Sequence, residues 1–86
     1  MTITQLKYVL AVAEHKNFTL AAEKCFVTQP TLSMQIQKIE EELNIQIFDR
    51  TKKPIQLTDI GLKIVTQAKN IVNEADRIQD IVEQQK

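Results

Sequence analysis

One apolar seam runs through the C-terminal third of the chain. Ile64, Ala68, Ile71, Ala75, Ile78 and Val82 follow one another at spacings of four, three, four, three and four. That rhythm belongs to a helix that keeps one stripe turned toward a neighbour, and Val65 and Val72 widen the stripe. With Thr58 as its cap, the helix runs from Asp59 to near the chain end, about 27 residues and roughly 40 Å. The whole chain is 86 residues, one small domain with a thin core. A domain of that size cannot cover such a helix along its length, so the uncovered part calls for a partner helix. A single Gly and two Pro fit the helical bias and argue against a turn-rich β fold.

The residues before this helix divide into shorter pieces. Ile3, Leu6, Val9, Leu10 and Ala13 build one apolar face of a first helix, capped by Thr2 or Thr4 and ending near His15 to Asn17. Asn17 or Thr19 caps a short second helix through Leu20, Ala21, Ala22 and Cys25, where the alanines allow close packing. Thr28 caps a third helix, with Pro30 tolerated in its first turn. Leu32, Ile36, Ile39 and Leu43 form its buried stripe, and Asn44 suits a left-handed end. Ile45 and Ile47, then Ile55 and Leu57, alternate with polar residues at period two. They predict two short strands joined by a basic tip.

Helix, short helix, tight turn, helix and hairpin is the winged helix-turn-helix order. The expected fold is therefore mainly α: a three-helix core with a small β-hairpin wing, followed by a long linker helix. The third helix buries one stripe and turns Pro30, Thr31, Ser33, Met34, Gln37 and Lys38 outward, with no acid before Glu41. Small hydroxyls and amides near a helix N-terminus suit base edges and phosphates. Arg50, Lys52 and Lys53 place positive charge at the wing tip, where it suits phosphate contact or minor-groove insertion. The candidate DNA-binding set is Thr28, Gln29, Pro30, Thr31, Ser33, Met34, Gln37, Lys38, Arg50, Lys52 and Lys53. Gln29, Pro30, Thr31 and Met34 are expected on base edges, and Thr28 and Ser33 on phosphates.

Composition alone does not support this reading. Eleven Lys and Arg balance eleven Asp and Glu, so the case rests on where the charges sit. One Cys and one His exclude an intramolecular disulfide and leave no ligand set for a zinc site. No metal site and no cofactor are expected. There is no membrane span and no signal-peptide pattern, which predicts a cytoplasmic protein. No nucleophile–base arrangement or Gly-rich phosphate loop is present, so an enzyme is not expected. Glu40, Glu41 and Glu42 read as a solvated charge run, Cys25 as a buried inert thiol, and His15 as a surface residue compensating a helix C-terminus.

The residues also carry a resemblance. Phe18, Ala21-Ala22, Thr28-Gln29-Pro30-Thr31-Leu32-Ser33, Gln35-Ile36, Leu43, Phe48-Asp49-Arg50 and Leu57-Thr58-Asp59-Ile60-Gly61 resemble the N-terminal region of the LysR-type transcriptional regulators. Within that family Glu14-His15, Cys25 and Gln29 to Ser33 are most similar to the peroxide-sensing members, so the resemblance implies a response to peroxide. It implies a winged helix-turn-helix at 1–58, with the helix-turn-helix at about 18–37 and the wing at about 46–57. A linker and dimerisation helix at 59–86 follows, and a C-terminal effector-binding domain lies outside this chain. It implies a homodimer on double-stranded DNA with an imperfect inverted-repeat operator, and a tetramer for the full-length protein. The dimerisation residues are the seam: Ile64, Ala68, Ile71, Ala75, Ile78 and Val82. Met34 stands where the family often has Arg, and Asn44 where it usually has Gly. A rival reading takes the last helix as a coiled-coil adaptor in a protein-interaction module with no DNA role. A membrane-surface helix is disfavoured, because acids outnumber bases on the last helix.

Overall fold

The computed structural model describes residues 1–86. Four helices and one two-stranded antiparallel hairpin follow in the order α1 (Ile3–His15), α2 (Phe18–Lys24), α3 (Gln29–Leu43), β1 (Phe48–Asp49), β2 (Gln56–Leu57) and α4 (Asp59–Gln84). The winged helix-turn-helix order expected from the sequence is present. No helix is long and apolar enough to cross a membrane.

Each helix starts at a residue whose side chain accepts an otherwise unpaired amide. Thr2 and Gln5 form a reciprocal capping box on α1. Asn17 accepts from the Leu20 amide on α2, Thr28 from Thr31 on α3, and Thr58 from Gly61 on α4. Of the alternatives open in the sequence, Thr2 and Asn17 are therefore the caps. Asn44 closes α3 with a φ of 55°, a left-handed conformation that Asn accepts readily.

Leu6, Val9 and Val12 of α1 meet Ala21 and Ala22 of α2, Leu32, Ile36 and Ile39 of α3, and Val65, Ala68 and Val72 of α4 in one core. Ile47 and Phe48 close it from the wing side. Gly61, in the first turn of α4, lies so close to the wing that a Cβ there would run into the carbonyl oxygen of Ile47. A side chain at that position would push the last helix off its seat.

The first strand is displaced from its expected place. Ile45 to Ile47 are not paired; β1 is Phe48–Asp49, with Phe48 opposite Leu57 and Asp49 opposite Gln56. Ile47 and Phe48 are adjacent and both buried, which a period-two strand forbids. The reason lies in the hydrogen bonds. The amides of Ile47 and Phe48 donate to the Glu40 carboxylate, and the Ile47 carbonyl accepts from the Thr58 amide. Groups that a strand ladder would use are held by α3 and by the start of α4.

The long helix uses two apolar stripes, offset by about a quarter turn. Gly61, Val65, Ala68 and Val72 are buried in the domain's own core. Ile64 and Ile71 pack partly against it, while Ile78 is 66% and Val82 45% exposed. Ala68 therefore does not belong to an exposed seam: its side chain is taken up by its own domain. The distal part of α4 projects from the body, and the molecule measures 48 × 25 × 20 Å.

Candidate nucleic-acid interface

Thr28 sets the start of α3 and with it the direction of the whole outward face. Its Oγ1 accepts from the Thr31 amide at 3.3 Å and donates to Thr31 Oγ1 at 2.9 Å. Gln29 Nε2 donates to Ser33 Oγ at 2.7 Å. That bond uses one of the two Nε2 hydrogens, so the other and Oε1 remain for a donor–acceptor pair on a base. Pro30, Met34, Gln37 and Lys38 are exposed, and Gln29, Thr31 and Ser33 are half-buried. The face expected from the helical period is thus open at Pro30, Met34, Gln37 and Lys38 and partly covered at Thr31 and Ser33. Gln37 Nε2 donates to Glu41 at 3.2 Å, at the end of α3 remote from this first turn.

A cleft of about 600 Å³ opens beside that face. Lys16 and Asn17 from the α1–α2 corner, Thr19 from α2, Gln29 and Ser33 from α3, and Arg50, Lys52 and Lys53 from the wing all line it. Four cations and no carboxylate converge there, an arrangement that attracts an anionic chain. Lys16, Asn17 and Thr19 were absent from the sequence-derived set. No periodic signal marks them; only the packing of α1 and α2 beside the wing brings them to the cleft. The left-handed φ of 54° at Lys16, the turn out of α1, is a local feature that the sequence does not advertise.

Arg50 occupies a different position from the one expected. It lies just after β1 rather than at the hairpin tip. Its Nη2 donates to Glu40 Oε1 at 2.9 Å and its Nη1 to Gln46 at 3.2 Å. The guanidinium stands 5.3 Å from the ring centroid of Phe18, and Phe18 meets Phe48 edge-on at 6.1 Å. Arg50 therefore ties the wing to α3 and α2, and its charge is matched by Glu40. The unpaired wing cations are Lys52 and Lys53. Glu40 in turn departs from the solvated run: it is 5% exposed and accepts from two buried amides as well as Arg50. Glu41 and Glu42 remain on the surface, and Glu42 pairs with the N-terminal ammonium at 2.7 Å.

At the wing, Asp49 accepts from the hydroxyl and the amide of Thr51. These two bonds, with nearby Lys52, hold its carboxyl below its ordinary pKa. Cys25 is half-buried rather than fully buried, and loss of solvent pushes its thiol pKa up. A thiol shifted in that direction is a poor nucleophile at neutral pH. His15 is half-buried rather than on the surface, with its Nε2 3.8 Å from the Glu14 carboxylate.

Three comparisons bear on this arrangement. Residues 3–62 match the family model described as "Bacterial regulatory helix-turn-helix protein, lysR family". The "Hydrogen peroxide-inducible genes activator" of Pectobacterium carotovorum is 41% identical over 99% of this chain. The chain spans 28% of that relative's length. Among solved structures, full-length OxyR C199D from Pseudomonas aeruginosa superposes with a TM-score of 0.92 at 40% identity, over 98% of this chain and 28% of that one. The DNA-binding domain of BenM, a regulator of Acinetobacter baylyi, was solved in complex with benA site 1 DNA. It superposes with a TM-score of 0.93 at 36% identity, over 98% of this chain and 94% of the other.

Proposed function

We propose, from the premise that this chain belongs to the LysR family of bacterial regulatory helix-turn-helix proteins, that it is the sequence-specific DNA-binding domain of a dimeric transcription regulator. The observation that carries the reading is the cleft in which Lys16, Lys52 and Lys53 converge beside the first turn of α3. A chain of zero net charge gathers cations without acids at the one place where a recognition helix would enter a groove. In this reading α3 enters the major groove. Gln29, Pro30, Thr31 and Met34 meet base edges, and Thr28, Ser33, Gln37 and Lys38 meet the groove walls. Lys52 and Lys53 approach the adjacent minor groove or backbone, and Lys16, Asn17 and Thr19 hold the phosphates between. Arg50 lines the same cleft while holding the wing in place.

The winged domain at 1–58 and the helix at 59–86 act as reader and connector. Ile64, Ile71, Ala75, Ile78 and Val82 form the dimer seam, supported by the exposure of Ile78 and Val82 beyond the domain's own core. Two copies meet successive major grooves about 34 Å apart, so the operator is an imperfect inverted repeat. A regulator with a DNA target works in the cytoplasm, and a full-length protein assembles further into a tetramer. No catalytic step is assigned. The similarity to peroxide-inducible gene activators supports a role in the response to peroxide.

The test is enrichment of bound duplexes from a random-sequence pool by this chain. Recovery of a two-part inverted repeat supports the reading. An unenriched pool overturns it, and leaves the coiled-coil adaptor as the reading to pursue.

A further inference from the structure

Phe26 sits in the turn between α2 and α3 with a φ of 59°, in the left-handed region that a bulky side chain disfavours. Its amide donates to the Glu23 carbonyl, and the Val27 amide to the Ala22 carbonyl. This pair of bonds closes α2 through one left-handed residue, a position ordinarily held by Gly or Asn. The end of α3 repeats the pattern: Asn44 donates to Glu41 and Ile45 to Glu40, and there the left-handed residue is the suitable Asn. At Phe26 no packing offsets the misfit, because the residue is 93% exposed. A lone exposed apolar residue is ordinary. One held in a backbone conformation that its own side chain opposes is not, and such residues gather where function requires them.

Position identifies the function. Phe26 precedes the cap Thr28 by two residues and Gln29 by three, so its Cα lies within about 11 Å of the Gln29 Cα. It lies in the turn that leads into α3, the helix that enters the groove in the proposed function. A phenyl ring offers no hydrogen bond, and the one apolar group on a major-groove base edge is the thymine C5-methyl. We propose that the Phe26 ring is a specificity contact, packing on a thymine methyl at the outer edge of each half-site, next to the bases met by Gln29 and Pro30. The inference rests on the proposed DNA-binding function and extends it to a residue outside the recognition helix.

The test uses a duplex enriched from the random pool, with each thymine replaced in turn by deoxyuridine to remove its methyl. For the unchanged protein, one flanking replacement lowers affinity about fourfold, the worth of one buried methyl. Phe26→Gly, which removes the ring and suits the left-handed backbone, melts no lower than the parent. It binds the thymine and deoxyuridine forms of that position equally, while its response to every other replacement is unchanged. A duplex with no flanking thymine of this kind overturns the proposal, as does a Phe26→Gly protein that keeps the full discrimination. If no duplex is enriched at all, the DNA-binding reading fails first. If one is enriched and Phe26→Gly behaves as the parent on it, only the role of Phe26 fails.

Discussion

The Arg50 guanidinium meets the buried carboxylate of Glu40 at 2.9 Å, and this pair fixes the wing to the third helix. Glu40 serves three donors at once: the amides of Ile47 and Phe48 and the Arg50 fork. Arg50 is 41% exposed, so the two partners are unequal. Glu40→Ala leaves two buried amides and a cation without their acceptor, and should destabilise the domain by about 3 kcal/mol. Arg50→Ala leaves the amides satisfied and should cost roughly 1 kcal/mol. Urea unfolding of both variants checks the order. Equal losses would mean that the amide bonds contribute nothing beyond the ion pair.

The lysines of the cleft should carry the salt-dependent part of DNA affinity. Lys52→Ala with Lys53→Ala should flatten the slope of log affinity against log salt by about 2, and Lys16→Ala by about 1 more. None of these side chains is held by a carboxylate, so the fold should be unaffected. Binding measured across a salt series gives the slopes. An unchanged slope for Lys16→Ala would remove the α1–α2 corner from the interface.

Order at the wing tip should depend on acid pH through Asp49. Its folded pKa lies below the ordinary 3.8, first because the Thr51 hydroxyl donates to it, then because the Thr51 amide does, with Lys52 adding to the effect. A depressed carboxylate contributes structure above its unfolded pKa and loses it as pH falls through the folded value. The Thr51 amide resonance should therefore titrate with a midpoint below 3.8. A midpoint above 3.8 would contradict the two Thr51 bonds.

Much of this fold can be read from local signals. Thr28 as a cap, Asn44 as a left-handed end and the stripe Leu32, Ile36, Ile39 and Leu43 each depend on neighbours within a few residues. Glu40 could not be told from Glu41 and Glu42, because its burial depends on Arg50 ten positions later and on amides in a loop between them. The same non-local bonds shifted β1 from the Ile45–Ile47 alternation to Phe48–Asp49. On the interface, the α3 face followed from helical period alone. Lys16, Asn17 and Thr19 reach the cleft only through tertiary packing. Phe26 carries no periodic signal in the sequence and stands out only once its φ and exposure are known.

Dimerisation should depend on the part of α4 outside the domain's own core. Ile78 is largely exposed within one chain, so Ile78→Asp should leave the folded domain intact. In a helix pair it would bury an unpaired carboxylate, which is costly. Sedimentation equilibrium should show a dimer for the parent and a monomer for the variant, with equal thermal melting of the two monomeric domains at high dilution. A parent chain that stays monomeric at high concentration would refute the seam.

The base-reading role of α3 is tested most directly at Gln29, whose free Oε1 and second Nε2 hydrogen match the acceptor–donor edge of adenine. The measurement is the affinity of the parent and of Gln29→Ala for an enriched duplex and for a scrambled duplex of the same composition, at one salt concentration. The expected result is a loss of about 1–3 kcal/mol on the enriched duplex, a relaxed preference at one base pair, and no change on the scrambled one. An equal loss on both duplexes, or no loss on either, would contradict it.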